Sequence, residues 1–214
     1  MNNLNEVEQK IAESLLQIKA IKLQPKNPFT WASGWKSPIY CDNRITLSHP
    51  SIRTYIRQKL SQLIQEEFGT VEMVSGVATA GIPQGVLVAQ DLGLPFTYVR
   101  SSAKDHGRQN LIEGEVISGQ RVVVVEDLIS TGKSSLQAVE ALRAAGCNVV
   151  GLVSIFTYGF EEAVQNFAQA KCSFFSLCDY DSLIKVAVTN GYVLESDVAL
   201  LEQWRKDPST WTSE

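Results

Sequence analysis

Apolar residues in the N-terminal third of the chain recur at helical spacing in two segments. The first segment predicts an amphipathic helix whose buried face comprises Val7, Ile11, Leu15 and Ile18. Residues 51–68 repeat this spacing and are followed by Gly69, so they predict a second amphipathic helix. Between the two, residues 24–44 are rich in proline, glycine and aromatic side chains and show no helical period, which indicates short strands and turns.

From residue 71 onward, short apolar runs alternate with amphipathic segments. The predicted strands are residues 71–77, 96–100, 122–125, 149–156 and 173–177. The predicted helices are residues 82–92, 131–145, 161–170, 180–190 and 197–206. Residues 101–116 are polar and contain glycine, which indicates a loop. This alternation predicts the α/β class, with a mostly parallel sheet flanked by helices.

The length of 214 residues suits one functional domain with a single good core. We expect residues 1–45 to form an N-terminal addition packed on a core of residues 46–214, which includes the C-terminal helices. Hydrophobic residues make up 44% of the chain and charged residues 20%, as in ordinary globular proteins.

The formal net charge of -4 argues against general nucleic-acid binding, so an anionic ligand would need a local cluster of basic residues. No apolar run approaches the length of a membrane span, and the N-terminus lacks the apolar core of a signal peptide. We therefore expect a cytoplasmic protein without a membrane partner. In such a reducing compartment the four cysteines are predicted to be free thiols, mostly buried.

The most informative motif is VVVVEDLISTGKSS, residues 122–135. Its end resembles a nucleoside triphosphate loop, but Asp127 stands where that loop needs its first glycine, and Glu126 precedes it. Two carboxylates would repel a polyphosphate unless a metal intervened, whereas they accept hydrogen bonds well from a ribose diol. The Thr-Gly turn before a helix offers donors to a phosphate. The motif therefore favours a ribose 5-phosphate site over triphosphate hydrolysis or an incidental turn.

The same motif resembles the phosphoribosyl pyrophosphate signature of the type I phosphoribosyltransferases. FTWASGWKSPIYCDNR, residues 29–44, resembles the N-terminal hood segment of the orotate phosphoribosyltransferase family. YVRSSAKDHGRQNLIEG, residues 98–114, resembles that family's mobile catalytic loop, and Lys-Asp-His-Gly is its most distinctive part. The resemblance implies the type I phosphoribosyltransferase fold with a small hood. It also implies transfer of a phosphoribosyl group to orotate, which yields orotidine 5'-monophosphate and pyrophosphate in pyrimidine biosynthesis.

The predicted catalytic loop concentrates basic residues in an otherwise acidic protein. Arg100, Lys104, His106 and Arg108 place up to four positive charges within nine residues. By resemblance, the first three bind the diphosphate of phosphoribosyl pyrophosphate and reach into the neighbouring subunit's site, which implies a homodimer. The catalytic candidates are Lys104, Asp105 and His106. Asp105 could handle a proton or only form an ion pair, and the sequence leaves both roles open.

The remaining site assignments also follow from the resemblance. Glu126 and Asp127 should hold the ribose hydroxyls, and the turn at residues 77–81 should contact pyrophosphate. The other residues predicted to contact phosphoribosyl pyrophosphate are Leu128, Ile129, Ser130, Thr131, Gly132, Lys133 and Ser134, of which the last four should hold the 5-phosphate. Ser130 matches a family position that touches orotate. Mg2+ is expected on the substrate's own oxygens, without a dedicated metal site of protein side chains.

The sequence departs from the family pattern where orotate should bind. Ala32 and Ala80 replace lysines of some orotate enzymes, and Tyr158 lies near the place of an arginine that helps to grip the orotate carboxylate. Lys36 or backbone amides are the candidates for that role. A purine-specific phosphoribosyltransferase and a regulator that senses phosphoribosyl pyrophosphate are the alternatives. The hood segment and the Lys-Asp-His-Gly loop count against the first, and the lack of a basic DNA-binding region counts against the second.

Overall fold

The computed structural model describes residues 5–31, 33–102 and 111–212. The helices are α1 (Glu6–Gln17), α2 (Pro50–Phe68), α3 (Gly81–Leu92), α4 (Lys133–Ala144), α5 (Glu161–Gln169), α6 (Tyr180–Thr189) and α7 (Val198–Lys206). The strands are β1 (Ile21–Leu23), β2 (Phe29–Thr30), β3 (Lys36–Ser37), β4 (Ile39–Cys41), β5 (Met73–Val77), β6 (Phe96–Val99), β7 (Ile112–Glu113), β8 (Arg121–Ile129), β9 (Asn148–Thr157) and β10 (Phe174–Asp179). Two 3-10 helices cover Asn43–Ser48 and Glu195–Asp197.

The centre of the molecule is a six-stranded sheet in the order β10-β9-β8-β5-β6-β7. Every pairing in it is parallel except that of β6 with β7. Because parallel strands are joined by crossovers, helices lie on the faces of the sheet. The predicted α/β class is confirmed.

Strand β8 shows why its run of valines lacks alternation. Val123 and Val125 point into the hydrophobic cluster that also contains residues of α1, α2 and α6. Val122 and Val124 point into a second cluster, which contains residues of α4 and α5. Successive side chains on a strand face opposite sides, so both faces of β8 are buried and both need apolar residues.

The N-terminal segment adds small antiparallel pairs outside the main sheet. Strand β1 pairs with β4, and β2 pairs with β3 in a hairpin. Helix α1 begins with a capping box in which Asn5 accepts from Val7 N, and its buried residues join the same cluster as α2 and α6. The division between residues 1–45 and 46–214 stays a prediction.

The structure differs from the sequence prediction at the end of β8, at the start of α4 and in the predicted loop after β6. Strand β8 runs on to Ile129 because β9 continues beside it and pairs Thr157 with Ile129, so the acidic pair lies within the strand. Helix α4 begins only at Lys133, since Gly132 before it has a left-handed φ of 79°. Strand β7 lies in the expected loop, and its pairing with β6 is too short to leave a periodic signal.

The four cysteines are free, and three of them are buried, as predicted. In the described part of the chain, no helix combines the length and the apolar character needed to cross a bilayer.

Candidate active site

Most of the predicted site residues that the structure describes lie where parallel strands end. The turn at residues 78–80 follows β5, Arg100 follows β6, and residues 130–132 follow β8. Since β5, β6 and β8 are neighbouring parallel strands, these segments lie along the same edge of the sheet. Ligands of open α/β sheets bind at this carboxyl edge.

The acidic pair lies at the centre of this edge. Glu126 is only 5% exposed, its Oε1 accepts from Asp127 N at 3.0 Å, and its Oε2 accepts from the Ser135 hydroxyl at 3.3 Å. Burial raises the pKa of the Glu126 carboxyl well above its ordinary value, and the charge of Asp127 raises it further. Burial also raises the pKa of Asp127. Both groups therefore favour a ligand that donates hydrogen bonds or carries positive charge.

The turn between β5 and α3 lies directly against the acidic pair. A Cβ atom on Gly81 would lie 2.5 Å from the Val125 carbonyl oxygen and 3.4 Å from Glu126 Oε1. Only glycine permits this approach, so the turn is held next to the carboxylates. The Ala78 N–H donates to the Val99 carbonyl at 2.9 Å, which fixes the turn to the end of β6. The Ala78–Thr79 peptide bond is cis.

The turn between β8 and α4 forms a cavity of about 340 Å³. The residues predicted to contact phosphoribosyl pyrophosphate that line this cavity are Leu128, Ser130, Thr131, Gly132, Lys133 and Ser134. The side chain of Ile129 is instead fully buried in the core, so only its backbone could face a ligand. The N–H groups at the start of α4 adjoin this cavity and suit an anion. A larger cavity, of about 870 Å³, lies between α6 and α7 and contains none of the predicted site residues.

The hood segment, residues 29–44, packs at the same edge of the sheet. Tyr158 N donates to the Ile129 carbonyl at 3.1 Å, and the Tyr158 ring lies 5.3 Å from that of Trp31. The Trp204 indole N–H, from α7, donates to the Lys36 carbonyl at 3.1 Å. The Lys36 ammonium group donates to the Thr30 hydroxyl at 2.8 Å, within the hairpin. The hairpin is therefore attached both to the end of β9 and to the C-terminal helix.

The basic loop is only partly described. Arg100 N donates to the Leu111 carbonyl at 2.9 Å, and its Nη1 lies 3.6 Å from Glu113 Oε1. These contacts hold the two ends of the loop together where β6 ends and β7 begins. The predicted residues Lys104, Asp105, His106 and Arg108, together with Ala32 of the hood segment, lie outside the described residues.

The sequence prediction missed several contacts of the acidic pair, among them those of Ser135 and Gly81. Ser135 lies one residue beyond the predicted phosphate set, yet its hydroxyl reaches Glu126. Gly81 was assigned only as the last residue of the turn at residues 77–81, although its contact with Val125 sets the distance between that turn and the acidic pair. Ser135 could have been found by extending the motif, whereas the role of Gly81 depends on a contact between separate strands.

Comparison with known proteins gives the family. The family model described as "Phosphoribosyl transferase domain" matches residues 45–175. An orotate phosphoribosyltransferase from Phocaeicola vulgatus is 58% identical over 205 residues, which cover 96% of this chain and 97% of the relative. The chain belongs to the orotate phosphoribosyltransferase family.

Solved structures agree with membership of the orotate phosphoribosyltransferase family. The orotate phosphoribosyltransferase from Aeropyrum pernix superposes with a TM-score of 0.75 at 28% identity, covering 86% of this chain and 99% of that one. The UMP synthase of Leishmania donovani gives a TM-score of 0.77 at 25% identity, and the match covers 92% of this chain but 42% of that longer one. The expected type I phosphoribosyltransferase fold is confirmed.

Proposed function

We propose that the chain transfers the 5-phosphoribosyl group from phosphoribosyl pyrophosphate to orotate, forming orotidine 5'-monophosphate and pyrophosphate in pyrimidine biosynthesis. The observation that carries this proposal is the identity of 58% with an orotate phosphoribosyltransferase over nearly the whole of both chains. The arrangement at the carboxyl edge supports it, since the acidic pair lies there between the turn before α3, which approaches through Gly81, and the cavity before α4.

The acidic pair suits the ribose ring. Glu126 and Asp127 offer carboxylate oxygens to the vicinal hydroxyls, and each hydroxyl donates one hydrogen bond. Donors favour the ionised form of a carboxyl, so a bound ribose would lower the pKa values that burial raises. This pairing would hold the anomeric carbon in a fixed place between the incoming base and the departing pyrophosphate.

The turn between β8 and α4 suits the 5-phosphate. Thr131 and Ser134 provide hydroxyl donors, Gly132 adopts the left-handed conformation of the turn, and the N–H groups at the start of α4 adjoin the cavity. Lys133 is exposed at the same turn and adds a positive charge. Ser130 lies on the strand side of the turn, where it could also touch the base.

The leaving group carries the most charge, so its partners should be basic. The turn at residues 78–81 borders the acidic pair through Gly81, and Arg100 lies at the end of β6, the next strand beyond β5. Lys104 and His106 complete the proposed diphosphate contacts, with Asp105 either moving a proton or pairing with them. We expect these loop residues to act in the neighbouring subunit of a homodimer, in a cytoplasmic enzyme.

Orotate should bind beneath the hood segment. Lys36 or backbone amides are the proposed partners of its carboxylate. The Lys36 ammonium group bonds to Thr30 in the hairpin, so gripping a carboxylate would require that bond to be shared or exchanged. Trp31, which is half-buried and packs on the buried Tyr158 ring, offers an apolar surface to the pyrimidine ring.

We expect Mg2+ to bind at this site together with the substrate. No cluster of three or more possible ligand side chains occurs in the described residues, so the metal would be held chiefly by pyrophosphate and ribose oxygens. The carboxylates of Glu126 and Asp127 are hard oxygen donors close to where the ribose hydroxyls would lie. When bound, the metal would neutralise part of the charge on the departing pyrophosphate.

The test follows the loss of orotate absorbance after addition of phosphoribosyl pyrophosphate, with and without Mg2+. Wild type should consume orotate only with the metal, and Lys104→Ala should lose most of this activity. Lys185→Ala, on the exposed side of α6, is the matched control and should behave as wild type. Consumption of a purine but not orotate would contradict the assigned base. Equal activity of both lysine variants would contradict the role of the loop.

A further inference from the structure

We propose that Asn43 is a positioning residue, which fixes the main chain of Asp127 and so aims its carboxylate at the ribose. The inference rests on the proposed function for the role of Asp127, and it adds a residue that the signature motif does not contain. The Asn43 side-chain amide donates from Nδ2 to the Asp127 carbonyl oxygen at 2.7 Å, across 84 residues of sequence.

The need for this contact arises from the unequal lengths of two strands. Among the described residues, the pairing of β5 with β8 ends at Gly76 and Val125. The Arg121 carbonyl faces β5, because it accepts from Glu72 N at 2.9 Å. The Asp127 carbonyl lies beyond this last strand partner and accepts from Asn43 Nδ2 instead. Asn43 supplies the donor that β5 no longer provides.

Asn43 is itself held in place. Its side chain is 1% exposed, and its Oδ1 accepts from the Cys41 thiol at 3.4 Å. Its carbonyl accepts from the Thr46 hydroxyl at 2.6 Å, and that hydroxyl accepts from Gln84 Nε2 at 3.1 Å. A flipped amide would place oxygen against the Asp127 carbonyl, so the contact fixes which end donates.

The network joins the three parts of the site. Gln84 lies in the first turn of α3, just after the turn proposed for pyrophosphate. Asn43 is the last residue but one of the hood segment, and Asp127 lies on β8. Loss of the amide donor leaves a buried carbonyl without this partner and frees the backbone that carries the Asp127 carboxylate. A shift of this carboxylate weakens contacts to the ribose hydroxyls, but it leaves the phosphate turn after residue 130 in place.

The test compares two ligands by calorimetry on the whole chain. Ribose 5-phosphate requires the acidic pair and the phosphate turn, whereas inorganic phosphate requires only the turn. We expect Asn43→Ala to weaken ribose 5-phosphate on the order of tenfold and inorganic phosphate less than about twofold. Asn43→Asp keeps the side-chain shape but removes the donor, so it should show the same selective loss.

Thr46→Val is the matched control for a purely structural role. It removes a buried hydroxyl from the same 3-10 helix and breaks the link to Gln84, but it leaves the Asn43 donor to Asp127 intact. Burial and the Cys41 thiol still hold the Asn43 amide in this variant, so we expect it to lose thermal stability and to retain the wild-type ratio of the two affinities.

The proposal is overturned if either Asn43 variant binds ribose 5-phosphate as wild type does, if both ligands weaken equally, or if Thr46→Val shows the same selective loss. Neither ligand includes a base. A failure of orotate turnover in wild type would therefore count against the proposed function without affecting this comparison.

Discussion

Replacement of Gly81 by alanine should separate the two halves of the active site. The added Cβ would lie 2.5 Å from the Val125 carbonyl oxygen and 3.3 Å from Glu126 Cα, and neither backbone atom can rotate away. An ordinary contact needs about 3.4 Å, so α3 and β8 must move apart by roughly 0.9 Å. This movement would carry the turn at residues 78–80 away from the acidic pair.

Both stability and activity should respond to this displacement. Overpacking of a close contact typically costs about 1–3 kcal/mol of the free energy of unfolding. A misplacement of about 1 Å near reacting groups can lower a rate by about 10²-fold. We therefore expect Gly81→Ala to lose about 1–3 kcal/mol in urea unfolding and about 10²-fold in kcat/KM for phosphoribosyl pyrophosphate.

Gly85→Ala provides the matched control, because it adds the same methyl group one turn later in α3. Its Cβ would lie 2.6 Å from Cε2 of the Phe96 ring, away from the acidic pair, and a ring can move. Alanine also favours a helix interior over glycine by about 1 kcal/mol, which offsets part of the crowding. We expect its activity to stay within about threefold of wild type. Equal losses in the two variants, or full activity of Gly81→Ala, would refute the reasoning.

Two further predictions concern the hood and the acidic pair. Trp204→Phe removes the hydrogen-bond donor to the Lys36 carbonyl, so the hairpin of the hood loses one attachment. Steady-state kinetics should show a higher KM for orotate and an unchanged KM for phosphoribosyl pyrophosphate. Equal changes in both KM values would contradict this expectation. Burial raises the pKa of Glu126 above its ordinary 4.5. The protonated carboxyl therefore contributes to the stability of the folded chain below pH 4.5, and this contribution is lost as the pH rises through the raised pKa. The midpoint temperature of thermal unfolding should therefore be higher for Glu126→Gln than for wild type at neutral pH, and the two values should converge near about pH 4. A difference in midpoint that does not change with pH would contradict the raised pKa of Glu126.

The elements of the fold were largely predictable because their signals are local. Helix α2 ends at Phe68 because Gly69 adopts a positive φ of 64°, and α3 ends before Gly93 for the same reason, with a φ of 68°. The valines of β8 predicted a strand, and they lack alternation because both faces of that strand are buried. The motif at residues 122–135 is continuous in sequence, so it predicted both the acidic pair and the phosphate turn.

The contacts that assemble the site could not be predicted in this way. Asn43 meets Asp127 across 84 residues, and Trp204 meets Lys36 across 168. Gly81 is matched to Val125 only because α3 packs tightly on the sheet. The hydrophobic effect is not directional: a periodic pattern shows which side of an element is buried, but not which partner covers it. The sequence thus determined the elements and the chemistry of the site, and the tertiary packing determined how its parts are spaced and held.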